Sequence, residues 1–143
     1  MIHEPKVAID FLGHGDHFQP GETLAGQFWI EHLSREDLIA VEISVLWHTD
    51  GKGDEDLGVH LFKRLDAAQG DYLDPTVPTR FSTQLPYSPL TYDGVLVKIR
   101  WCVRVRAFLA GGKELVRDRN FFLGDVRAPR IASVEESPQL LAY

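Results

Sequence analysis

The sequence predicts an all-β fold: an antiparallel, immunoglobulin-like β-sandwich of about seven to eight strands. Three observations predict it. Apolar and polar residues alternate with period two along nearly every patterned segment. The periodicity of an amphipathic helix is nearly absent, and turn residues break the pattern roughly every ten to fifteen residues. A parallel sheet would need amphipathic crossover helices, and no segment qualifies as one.

The elements follow in order. Val7, Ile9 and Phe11 alternate with Ala8 and Asp10 as a short first strand. Pro20 and Gly21 then mark a turn, because proline presets φ and glycine tolerates positive φ. Leu24, Gly26, Phe28 and Ile30 share one side of the next strand, and Ile39, Val41, Ile43, Val45 and Trp47 one side of the following one. Their β-branched content favours strand over helix. "TDGKGDEDLG" is an exposed acidic loop, "VHLFKRL" a strand, and "DAAQGDYLDPTVPT" an irregular stretch with room for one helical turn. "RFSTQL" is a strand with Phe81, Thr83 and Leu85 on one side. "PYSPLTYDG" leads into the longest strand, in which every odd position from Val95 to Leu109 is apolar. Its even positions carry Lys98, Arg100, Arg104 and Arg106 around the single cysteine, Cys102. "AGGK" signals a hairpin, "ELVRDRNFFLG" returns, and residues 125–143 read as a tail that ends in the apolar "LLAY". Phe28, Ile43, Val45, Trp47, Val97, Ile99, Trp101 and Val103 are the expected core, since each lies on the apolar parity of its strand.

A chain of 143 residues fits one domain. A net charge of −6 opposes general attraction to nucleic acid or an anionic membrane. One cysteine forms no internal disulfide, the N-terminus lacks the pattern of a signal peptide, and no apolar run reaches membrane-spanning length. The expected location is cytoplasmic, with no integral membrane segment.

Two stretches together carry a family resemblance. "FQPGETLAGQFWI" (18–30) has Phe18, Pro20, Gly21, Glu22, Leu24, Gly26 and Phe28 in an aromatic-x-Pro-Gly-acid-x-apolar-x-Gly-x-apolar pattern. "LPYSPLTYDGVLVKIRWCVRV" (85–105) has a proline-containing turn and then Thr91, Tyr92, Gly94, Ile99, Trp101 and Val103 at the positions of a polar-aromatic-x-Gly step and a long strand. In this order and separation they resemble the N-terminal domain of arrestin-fold proteins, with Thr91 and Trp101 where that family commonly has Ser and Tyr. The resemblance implies an arrestin-like sandwich over residues 1–124 and a tail over 125–143. Two-domain arrestins bind receptors between two sandwiches, so that activity does not carry over to one. What it implies instead is a scaffold similar to the arrestin-fold subunit of retromer or to bacterial sporulation-control proteins, which bind other proteins without catalysis.

Beside that resemblance stand the candidate chemistries. Asp50, Asp54 and Asp56 alternate with glycines as oxygen ligands of Ca²⁺ would, but the loop lacks the acid at its twelfth position, and a solvated hairpin loop explains it better. His14, Asp16 and His17 lie close together, with His48 and His60 flanking the acidic loop, yet zinc needs a third ligand that the spacing does not supply. Arg100 and Arg104 beside Cys102 would lower a thiol pKa, but no base is paired with it, so a small strand residue is the better account. No nucleophile elbow or phosphate-binding loop is present. Glu31, Glu42 and Glu114 are expected as counter-charges to the basic stripe.

The sequence thus leads to a non-enzymatic adaptor, scaffold or assembly subunit with no cofactor and no metal, whose partners are other proteins, a second copy of itself among them. The expected binding residues are Lys98, Arg100, Arg104 and Arg106 on the stripe, Asp50, Asp54, Glu55 and Asp56 in the acidic loop, and Tyr87 and Tyr92 in the loop before the long strand. The rival expectation is a metal- or ligand-binding sandwich, with or without catalysis, built on the 50–56 loop and the nearby histidines.

Overall fold

The computed structural model describes residues 3–13, 15–51 and 55–125. Among them run strands β1 (Lys6–Phe11), β2 (His17–Phe18), β3 (Thr23–Glu31), β4 (Leu38–Gly51), β5 (Leu57–Asp66), β6 (Thr79–Gln84), β7 (Tyr92–Asp93), β8 (Val97–Leu109) and β9 (Glu114–Leu123). They form a three-stranded sheet, β1-β3-β6, and a six-stranded sheet, β2-β9-β8-β4-β5, with β7 added beside β8. The two sheets face each other over one core, so the expected sandwich is present. Two corrections apply to its details. The strand number exceeds seven to eight because β2 and β7 are two residues long, too short to leave an alternation in sequence. The sandwich is also not wholly antiparallel, because β2 runs parallel to the end of β9, with His17 beside Phe122 and Phe18 beside Leu123.

The core follows the parity of the strands. Val7, Ile9 and Phe11 of β1 and Leu24, Phe28 and Ile30 of β3 are buried against Ile43 and Val45 of β4 and Trp101, Val103 and Val105 of β8. At one end the rings of Phe11, Phe18, Trp101 and Phe121 meet with centroids 5.6–6.1 Å apart, edge-on or tilted as aromatic quadrupoles favour. Gly26 is one glycine whose missing side chain matters, since a Cβ there would lie 2.6 Å from the Phe81 ring and 2.9 Å from the Asp10 carbonyl oxygen. The expected core is corrected at its outer end. Val97 is 39% exposed and Val95, which precedes the strand, 81%. Trp47 and Ile99 are half-buried. Alternation tells which face a residue takes, but not whether another layer covers that face. At its start β8 has β4 and the short β7 for neighbours.

Both flanks of the sandwich are tied by a side chain. On one flank Arg119, on the core-facing parity of β9, donates to the Ile9 carbonyl of β1 at 2.8 Å and lies over the Phe11 ring. On the other, a bulge inserts His60 between Val59 and Leu61, where β4 has only Val45 and Leu46 in succession. The His60 Nε2 lies 2.9 Å from the Gln84 carbonyl oxygen and 3.1 Å from the Thr83 hydroxyl, so β5 is joined to β6 across the gap between sheets.

Candidate interaction surface

The outward face of the larger sheet carries the basic stripe of β8, and the register decides what answers it. Arg104 stands between Ser44 of β4 and Asp118 of β9. It grips Asp118 with two hydrogen bonds, 2.8 Å from Nε and 3.0 Å from a terminal nitrogen. That bond raises the guanidinium pKa further. Lys98 lies 3.5 Å from Asp93 of β7, Arg100 3.7 Å from Asp50 of β4, and Arg106 3.7 Å from Glu114 of β9. Every cation of the stripe therefore has an acid within the chain. The expected counter-charges are partly corrected. Glu114 does answer the stripe. Glu42, although opposite Arg106, is taken by Arg64 of β5 at 2.7 Å, and Glu31 lies in the other sheet opposite Lys6. Asp93 and Asp118 went unforeseen, because cross-strand pairing depends on a register that the sequence does not print.

Cys102 lies on the same face but is fully buried there, beside buried Leu46. Burial first, and the Asp118 carboxylate second, push its pKa up to about 12, while Arg104 pulls the other way. The expected small strand residue, not a reactive thiol, is what stands here: Arg104 is paired with Asp118, and desolvation outweighs what lowering remains.

Asp54 and His14 lie outside the described residues, as does the tail from residue 126. Asp50, Glu55 and Asp56 are exposed and line a shallow depression of about 520 Å³ with His48, Thr49, Leu57, Arg104 and Asp118. His17 bonds Asp16 at 2.9 Å and stacks on Phe122, and His60 is committed to β6. Among the described residues no three His, Cys, Asp or Glu side chains gather as a metal would require.

The segment before β8 is built differently. It is fixed from beneath: the Trp101 Nε1–H donates to the Pro89 carbonyl at 2.7 Å, the Thr91 N–H to the Leu123 carbonyl at 3.0 Å, and the Leu123 N–H to the Thr91 hydroxyl at 2.8 Å. A turn closed by the Gly94 N–H on the Val97 carbonyl, 3.1 Å, then lifts Val95 and Leu96 into solvent, 81% and 70% exposed. Tyr87, Leu90 and Tyr92 of the same segment are exposed as well. Tyr87 and Tyr92 were expected here; Val95 and Leu96 were not. Their signal was available, since Leu96 puts an apolar residue on the even parity just before the run of cations and cysteine begins at Lys98.

No family model matches the chain, and no curated protein matches it. Among solved structures it is similar to the sporulation control protein Spo0M of Bacillus subtilis, at 18% identity and a TM-score of 0.62, over 98% of this chain and 56% of that one. The chain thus spans a little more than half of that protein. Weaker likenesses are to the alkylpurine DNA glycosylase AlkC of Pseudomonas fluorescens (15% identity, TM-score 0.38, 85% of this chain and 31% of that one) and to a β-glucosidase of Listeria innocua (14%, 0.40, 85% and 16%). At these identities the Spo0M likeness shows the fold, and the other two carry no weight.

Proposed function

We propose that this chain is a non-enzymatic protein-binding module, an adaptor, scaffold or assembly subunit on a single arrestin-like sandwich, acting in the cytoplasm, and that the 85–97 segment is its principal contact. One observation carries the proposal: Tyr87, Leu90, Tyr92, Val95, Leu96 and Val97 are large, apolar and exposed on one short segment that rigid strands hold from below. Exposed apolar residues gathered on an anchored loop are what interaction sites present, and aromatic residues are enriched in such sites. The stripe of β8 takes a secondary role, because its cations are already answered. Spo0M, described as a sporulation control protein, lends support as a regulatory protein of similar fold. The test compares quantitative affinity capture by the parent chain and by Val95→Ser/Leu96→Ser in cells that express it. The double variant is expected to fold normally and to lose specific partners. An identical set of partners for both, or stoichiometric metal in the purified protein, would refute the proposal.

A further inference from the structure

We infer that the free edge of β5 pairs with the same edge of a second copy of this chain, antiparallel about a two-fold axis. β4 pairs with one side of β5 from Ala40 to His48, and among the described residues no strand lies on the other side. Among the described residues no turn or loop backbone hydrogen bond reaches 57–65 either. Such an edge offers a row of N–H and C=O groups to another strand. Its outward face is apolar, with Leu57, Val59 and Phe62 each more than half exposed at 57%, 54% and 55%. The extra residue at His60 reverses the alternation midway, and so Leu57 and Phe62 share that face although one precedes the bulge and the other follows it.

The charges select the occupant. Glu55 and Asp56 stand at one end of β5, Lys63 and Arg64 toward the other. Arg64 is held by Glu42 and Asp66, but Glu55, Asp56 and Lys63 make no ion pair among the described residues. A strand acidic at its start and basic toward its end complements itself when two copies run antiparallel. The register that sets Asp56 opposite Lys63 of the second copy also sets Glu55 opposite Arg64 and Leu57 opposite Phe62. Each contact then occurs twice, as a self-complementary interface requires. The edge is built from residues outside the 85–97 segment, so different substitutions test the two proposals.

Sedimentation of the full chain at low salt is expected to show a monomer–dimer equilibrium, with slower hydrogen exchange at residues 57–65 as the dimer fills. Lys63→Asp alone and Asp56→Lys alone each set like charges opposite one another, and each variant is expected to lose the dimer. Mixed together they are complementary, and the mixture is expected to regain it. Both positions are exposed, so circular dichroism should report an unchanged fold. Val95→Ser/Leu96→Ser should dimerise like the parent. The inference is overturned by a parent chain that stays monomeric at every concentration, in which case the bulge and Lys63 only guard the edge. It is equally overturned by a dimer that the single changes leave intact, or by a mixture no heavier than its components.

Discussion

Trp101→Ala takes from the core an indole that is 1% exposed and 5.7 Å, centroid to centroid, from Phe121. Truncating a buried aromatic to alanine costs about 3–5 kcal/mol, the lost transfer energy plus the cavity left behind. Part of the effect is polar, because the Pro89 carbonyl loses its donor. Trp101→Phe weights that part: it keeps an aromatic ring but removes the N–H, at about 1 kcal/mol, together with part of the indole's bulk, which adds a smaller packing loss. Urea unfolding followed by circular dichroism measures both as a shift in midpoint at constant slope. Hydrogen exchange then separates the mechanisms. The alanine variant should lose protection throughout the sandwich, whereas the phenylalanine variant should lose it first at Thr91 and Leu123, whose amides tie the segment to β9. If Trp101→Ala lies within about 1 kcal/mol of the parent, Trp101 is not a central core residue. If Trp101→Phe costs as much as Trp101→Ala, the hydrogen bond rather than packing holds this end together.

Further outcomes follow from the geometry. In a double-mutant cycle of Arg104→Ala and Asp118→Ala, a partly exposed two-bond pair should show a coupling of about 0.2–1 kcal/mol that shrinks with added salt; zero coupling at low salt would mean the pair is ornamental. The Cys102 pKa is raised from 9.0 to about 12, so folding favours the protonated thiol. Its contribution is fully present below pH 9 and is lost as pH rises toward 12, so stability should fall over that window and fall less steeply in Cys102→Ala. For the same reason the native thiol should resist alkylation at neutral pH, and rapid labelling without unfolding would contradict its burial. Gly26→Ala should cost about 1–3 kcal/mol by denaturant unfolding, because the added methyl meets the Phe81 ring and a backbone oxygen; a neutral result would mean that Phe81 has room to turn aside.

Most of the sandwich was legible because burial on one face imposes period two, and a one-residue slip would turn Ile43, Val45 and Val103 outward together. The places where legibility ended have a common cause. Val97 obeys the alternation of its strand and is exposed, because layer coverage is a property of the whole fold. Asp118 and Asp93 carry no local mark as partners of Arg104 and Lys98; only the strand register brings them there. Cys102 read as a polar-face residue because its neighbours in sequence are arginines, whereas its neighbours in space are Leu46 and Asn120. The candidate contact segment was half legible. Tyr87 and Tyr92 stood out by type, while Val95 and Leu96 were absorbed into the strand that follows them.

Arg119 and His60 have a mechanical consequence. Between two stacked plates, apolar attraction has no preferred direction, so a packed interior resists sliding through the interlocking shapes of its side chains alone. A clasp on each flank, one from β9 to β1 and one from β5 to β6, adds directional bonds that sliding must stretch. The clasps thereby add to the resistance to shear that the packed core supplies. A load applied at Val95 and Leu96 would be met by bending of the turn they occupy, while the plates beneath keep their alignment.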